Sequence, residues 1–190
     1  LRAPSHFVAP YHYGTSTPSS PWARLLHAVL LPRGALLLLQ WLRRRQGVNV
    51  EAIISNDWVA ALTAPYARHP SWTAACGGDG GALWGEGSWS EVPFVHVFHN
   101  LEEGYDGSVE LSKATPLAAL HLLPAHLLHE EGRPAALNLS RAALLCASQW
   151  ATVSVGYRRQ LLQTSRLAPL LRSFAAPFAC ASGIDLAARR

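Results

Sequence analysis

Two short polar runs carry side chains that could bind and orient a ligand: Asn56-Asp57-Trp58 and His99-Asn100. An imidazole followed by an amide offers several donors and acceptors close together, enough to engage one small polar molecule from more than one side. A carboxylate beside an indole offers an acceptor for hydroxyls and a flat apolar face. Sugars need both, because their hydroxyls demand directional partners while their C–H faces pack on aromatic rings. Each run also has a plainer reading. Asn56 and Asp57 are good helix N-caps with Trp58 as an aromatic staple, and His99 fits a hydrogen-bonded core histidine equally well. A third run, Ser182-Gly183-Ile184-Asp185, has the same polar, turn-forming character.

Other arrangements point away from other chemistries. His121, His126 and His129 include one i, i+3 pair but no HExxH-like carboxylate pattern, so no metal centre is expected. Cys76, Cys146 and Cys180 are odd in number, far apart and free of any CxxC pair, which points to a reducing compartment. Thr152-Val153-Ser154-Val155-Gly156 places a serine at a strand-to-helix turn, but a nucleophile elbow needs Gly where Thr152 stands. A hydrolase is therefore not expected. Neither GxGxxG nor a Walker sequence is present, so a dinucleotide fold and a P-loop enzyme lack support. Asn138-Leu139-Ser140 matches the glycosylation sequon, yet it falls inside an expected helix and is set aside.

The elements that must position these residues alternate in type. Residues 50–55 form an apolar run interrupted only by Glu51, which stops at Asn56-Asp57 before a helix beginning at Trp58. Residues 93–98 read as a second strand ending in His99-Asn100, with His96 packed on the same face as Phe94 and Phe98. A third strand is expected at 150–155, turning at Gly156 into a helix at 157–163, and a fourth at 178–181 runs into Ser182. Helices are expected at 22–31 and 35–46, the second closing on Arg43-Arg44-Arg45 and Gly47. Two more, at 117–128 and 135–147, flank the breaker set Glu131-Gly132-Arg133-Pro134. Residues 1–21 read as irregular, and 67–90 as a long Gly-rich loop. This alternation predicts an α/β fold, a Rossmann-like and mainly parallel sheet with helices on both faces. Ligands of such sheets bind at the carboxyl ends of the strands, where three of the four expected strands have polar turns.

Length and composition bound the partners. At 190 residues and 49% hydrophobic, the chain suits one domain. Its net charge of +4 comes with only 15% charged residues and one basic cluster, Arg43 to Arg45, so no nucleic-acid partner is expected. Residues 25–42 are apolar, but Pro32-Arg33-Gly34 divides them into runs far short of the roughly 20 residues a bilayer needs, so no membrane association is expected. The sequence has no Met and starts at Leu1. It reads as a piece of a longer polypeptide, with the compartment left open between plastid stroma and cytoplasm and the oligomeric state unassigned.

Taken in order, Ser55-Asn56-Asp57-Trp58-Val59-Ala60-Ala61-Leu62, Val97-Phe98-His99-Asn100-Leu101, Thr152 to Tyr157 and Gly183-Ile184-Asp185 resemble the landmarks of starch and glycogen synthase catalytic regions, with Leu137-Asn138-Leu139 before the third. The resemblance covers roughly residues 48 to 185. It implies a GT-B glycosyltransferase with two Rossmann-like domains and the active site between them. Residues 22–185 would be part of the first domain, 1–21 an irregular lead-in, and the second domain would lie outside this chain. The implied reaction transfers glucose from ADP-glucose or UDP-glucose to the end of an α-1,4-glucan with retention, needing neither cofactor nor metal.

By the same resemblance, His99 would contact the donor glucose near the reacting carbon as the catalytic position, and Asn100 would hydrogen-bond sugar hydroxyls. Asp57 and Trp58 would line the acceptor side, and Ser182 and Asp185 would add substrate contacts. Departures accompany the match. The family's Lys-x-Gly-Gly loop is absent, and Ser182 stands where the family usually has Asn. The alternatives are a non-catalytic glucan-binding domain and another GT-B enzyme such as one like sucrose synthase.

Overall fold

In the computed structural model, which describes residues 21–69, 89–102, 104–110, 122–130, 133–174 and 177–179, four short strands lie side by side in parallel. They are β1 (Ile53–Asn56), β2 (Phe94–Phe98), β6 (Gln149–Thr152) and β7 (Phe178–Ala179), adjacent in that order. The expected mainly parallel α/β sheet is present. The strands are short and mostly apolar, and burial alternates along β1 and β2 as a pleated strand demands. Parallel pairing requires a long crossover between neighbours. The segment from β1 to β2 includes a 3-10 turn, Trp58–Ala60, and α2 (Thr63–Arg68). That from β2 to β6 includes α4 (Leu139–Cys146), and that from β6 to β7 includes α5 (Val155–Thr164) and α6 (Ala168–Arg172).

The first helix departs from the sequence expectation. Instead of two helices split at Pro32-Arg33-Gly34, α1 runs unbroken from Pro21 to Gln46. Pro32 removes one main-chain hydrogen bond and ordinarily kinks or ends a helix. Here Leu25, Ala28, Val29, Pro32, Leu36 and Gln40, spaced three and four residues apart, bury one face against the core, and packing overrides the local break. Continuity also makes residues 23–46 long and apolar enough to cross a membrane by length and composition. The last turn closes on Arg43, Arg44 and Arg45 as expected, with the Arg43 guanidinium 4.7 Å from the centre of the Trp89 ring.

A second departure lies between β2 and β6. Residues 135–147, expected to be one helix, divide at Asn138: β5 (Arg133–Asn138) comes first and α4 follows. The Asn138 side chain accepts a hydrogen bond from the Arg141 amide at 2.8 Å, so an N-cap stands where helix was expected to continue. β5 pairs antiparallel with β3 (Ser108–Glu110) and β4 (His129–Glu130), a small second sheet that apolar spacing did not reveal. Of the helix expected at 117–128, residues 117–121 lie outside the described residues, 122–124 are not helical, and a short helix, α3 (Ala125–Leu128), precedes β4. Much of the Gly-rich loop does too.

Two apolar clusters hold these elements. The larger joins α1 to Tyr66, Trp89, Phe94, Leu137 and Leu139. The smaller packs Phe98, Leu144, Trp150, Leu161 and Leu171 between the sheet and α4 to α6. Each fully buried Leu or Phe contributes about 1.5–3 kcal/mol relative to exposure. Helix α4 belongs to both clusters, and β2 supplies Phe94 to one and Phe98 to the other. The larger cluster therefore holds the amino end of β2 and the smaller one its carboxyl end.

Candidate active site at the carboxyl ends of the strands

At the end of β1 the backbone takes a strained turn. Asp57 has φ 52° and ψ −178°, a combination that a residue with a Cβ seldom adopts and that costs on the order of 1–3 kcal/mol. Its amide still donates to the Val97 carbonyl at 2.9 Å, the last main-chain rung between β1 and β2. Beyond that rung its side chain takes over. The His99 amide donates to Asp57 Oδ1 at 2.7 Å, and the His99 ring nitrogen Nδ1 lies 3.2 Å from Asp57 Oδ2. One carboxylate thus grips both the main chain and the ring of the histidine at the end of the neighbouring strand.

The electrostatics of this pair are simple. With Nδ1–H directed to the carboxylate, the neutral ring keeps Nε2 as an acceptor, and the protonated ring turns Nε2 into a donor. The His99 side chain is 50% exposed and that of Asp57 23% exposed, so the pair is open to a ligand. Asn100 is half-buried, and its Oδ1 accepts from the Glu102 amide at 2.9 Å, which commits the oxygen to the loop and leaves the NH2 group as the donor side. The two sequence-expected residues Asp57 and His99 are brought into contact, with Asn100 next in the chain.

Tyr157 joins them from a third element. Ser154 caps α5 by accepting from the Tyr157 amide at 3.0 Å, and the Tyr157 hydroxyl accepts from the Leu101 amide at 2.6 Å. Burial pushes the phenol above its ordinary range. The Leu101 hydrogen bond pulls it back, and the carboxylates of Glu102 and Asp57 push it up again. It therefore stays neutral and keeps its own proton to donate. The sequence landmark at 152–157 contained Tyr157 without marking it as a site residue. An aromatic in the first turn of a helix capped at a strand end was the available signal.

Trp58 occupies a different place from the open ring face expected of it. It is 7% exposed and sits in the larger cluster. The Arg24 guanidinium lies 5.0 Å from the ring centre and donates to the Gly104 carbonyl at 2.7 Å. Gly107 packs against the base of the Trp58 side chain: a Cβ there would come within 2.8 Å of the Trp58 Cβ, and φ is +75°. Packing thus claims the indole that the sequence assigned to the ligand.

The remaining candidates are quickly placed. Ser182 and Asp185 lie outside the described residues, as does His121. His126 stands 6.5 Å, centre to centre, from the His69 ring, but no group of three or more His, Cys, Asp or Glu among the described residues is arranged to hold a metal ion. Burial pushes the Cys146 thiol up to about 11, with Arg68 pulling it the other way, so it is a weak nucleophile.

Comparison with known proteins agrees with this architecture. Residues 1–173 match the family model of the starch synthase catalytic domain. Among solved structures, the catalytic domain of starch synthase IV from Arabidopsis thaliana, bound to ADP and acarbose, aligns over 93% of this chain with a TM-score of 0.60 and 19% identity. This chain spans 32% of that chain's length. No curated protein matches. With the family model covering nearly all of its residues, the chain belongs to the starch synthase catalytic domain family.

Proposed function

We propose that this chain forms one wall of the sugar-binding cleft of a retaining glucosyltransferase of starch or glycogen synthesis, with a second Rossmann-like domain as the other wall. Glucose would pass from ADP-glucose or UDP-glucose to the end of an α-1,4-glucan. The observation that carries this reading is the Asp57–His99 pair, two polar groups from adjacent parallel strands, half-open to solvent at the edge where α/β sheets bind ligands. Family membership supports it, and so do the ADP and acarbose bound to the similar starch synthase IV domain.

In this reading the chain's role is to position the sugar. A glycosyl transition state resembling an oxocarbenium ion is stabilised by nearby oxygens and fixed dipoles. His99, its ring set by Asp57, presents Nε2 to a sugar hydroxyl, and the Asn100 NH2 donates to another. Trp58 anchors Asp57 from the core and does not stack on sugar. Ser182 and Asp185 would add substrate contacts, and the nucleotide would be held by the second domain. No cofactor or metal takes part.

Calorimetric titration of the chain with maltoheptaose tests the sugar site. Binding is expected, and Asp57→Asn and His99→Ala are each expected to weaken it about tenfold or more, the loss of one good hydrogen bond to a charged or fixed group. A wild-type chain that binds no maltooligosaccharide, or two variants that bind as wild type does, refutes the site. Glucose transfer by a polypeptide joining this chain to the second domain, offered ADP-glucose and UDP-glucose in turn, identifies the donor and separates an enzyme from a glucan-binding domain.

A further inference from the structure

A little before the Asp57–His99 pair along both strands, the covered face of the sheet carries a polar contact among apolar neighbours. Ser55 Oγ lies 2.8 Å from His96 Nδ1, and the two residues are register partners across β1 and β2. Both are buried, and His96 Nε2 has no hydrogen-bond partner among the described residues. Ile53, Phe94 and Phe98 share its face of the sheet, the Phe98 ring lies 4.6 Å from the His96 ring, and Trp150 is the register partner of His96 on β6. A buried hydroxyl and a buried imidazole cost desolvation that apolar residues of similar size avoid, so stability does not account for them.

Register does. A slip of one residue would turn every side chain of a strand to its other face and is excluded by burial, but a slip of two returns each side chain to its own face. Slipped by two one way, β1 would set Ser55 opposite Phe98 and His96 opposite Ile53, leaving both polar groups buried and unpaired; slipped the other way, Ser55 would face Phe94 unpaired and His96 would draw Asp57 away from His99. The same slip would carry Asp57 roughly 7 Å along the strand direction, away from His99.

We propose that Ser55 and His96 are positioning residues: their cross-strand hydrogen bond locks the β1–β2 register and so holds the Asp57 carboxylate against His99. The functional half of this inference rests on the proposed glucan site, and the structural half does not. Buried polar contacts are known to select one register among several that apolar packing would tolerate. The bond acts through the neighbouring pair and touches no ligand.

Amide exchange by NMR on the full chain, together with maltoheptaose calorimetry, tests it. The double variant Ser55→Ala with His96→Phe replaces the contact by apolar groups, so its urea midpoint is expected to equal or exceed that of wild type. Its His99 amide is nevertheless expected to exchange about tenfold faster or more, and its affinity for maltoheptaose to fall about tenfold. Ser55→Thr keeps a hydroxyl and should retain both. Leu144→Ala, in the smaller cluster, should lower the urea midpoint without selectively exposing the His99 amide. A double variant that keeps His99 as protected as wild type overturns the proposal. If wild type binds no maltoheptaose while the His99 amide responds as expected, the glucan reading fails and the register lock stands.

Discussion

Two aspartates in this fold perform the same local task in opposite settings. Asp57 accepts from the His99 amide and Asp106 from the Ser108 amide, so each carboxylate ties down a main-chain N–H after a turn. Asp106 is buried, bonds the Ser108 hydroxyl at 2.8 Å and forms an ion pair with Arg166 from the segment between α5 and α6. Its charge is fully answered inside the protein, and no oxygen is left for a ligand. Asp57 faces only a half-exposed imidazole and sits on a strained backbone. A carboxylate answered by a fixed guanidinium clamps a fold. One answered by an open histidine remains available.

That contrast can be broken, beginning where the effect is largest. Gly107→Ala, beside Asp106, would drive a Cβ into Trp58 at a positive φ and is expected to cost about 3 kcal/mol, read as a lowered urea midpoint. Asp106→Asn strands Arg166, whose side chain is 44% exposed and partly rehydrates, so a smaller loss of about 2 kcal/mol is expected, with maltoheptaose affinity retained by the folded fraction. If Asp106→Asn abolished binding in folded protein, the clamp and the site would be one unit. Tyr157→Phe removes the acceptor for the Leu101 amide and should cost about 1 kcal/mol. Asp57→Asn keeps an acceptor for the His99 amide and should change stability by less than about 0.5 kcal/mol while weakening maltoheptaose binding. A stability loss matching that of Asp106→Asn would erase the distinction.

Acid sharpens the comparison of His96 with His99. Burial pushes the His96 imidazole down to about 3 from an ordinary 6.5. Between those values the unfolded chain binds a proton that the folded chain refuses, so stability is full above about 6.5 and is lost as the pH falls towards 3. Urea midpoints measured across that window should decline with a slope approaching one proton in wild type, and the slope should flatten in His96→Phe.

The sheet and its polar strand ends were legible in the sequence because apolar runs closed by Asn-Asp and His-Asn follow local rules. What was not legible depends on contacts between distant segments. Pro32 looks like a break until Leu25, Ala28, Val29 and Leu36 are seen to anchor both halves of α1. Residues 135–138 keep helix-compatible spacing, and only pairing with β3 and β4 makes them part of a strand. Trp58 next to Asp57 suggested a ligand platform, because no local signal reveals that Arg24 and Gly107 enclose it. His96 was expected to be packed, which holds, but its partner Ser55 lies 41 residues away.

Because the Asp57 carboxylate stands in for a backbone carbonyl beyond the last rung of the ladder, site occupancy and strand-end integrity share one atom. A hydroxyl that bonds to Oδ1 would share that oxygen with the His99 amide, and one that bonds to Oδ2 would share it with the imidazole. A ligand bound at that carboxylate would therefore be felt at the tip of β2 through the main chain of the strand end.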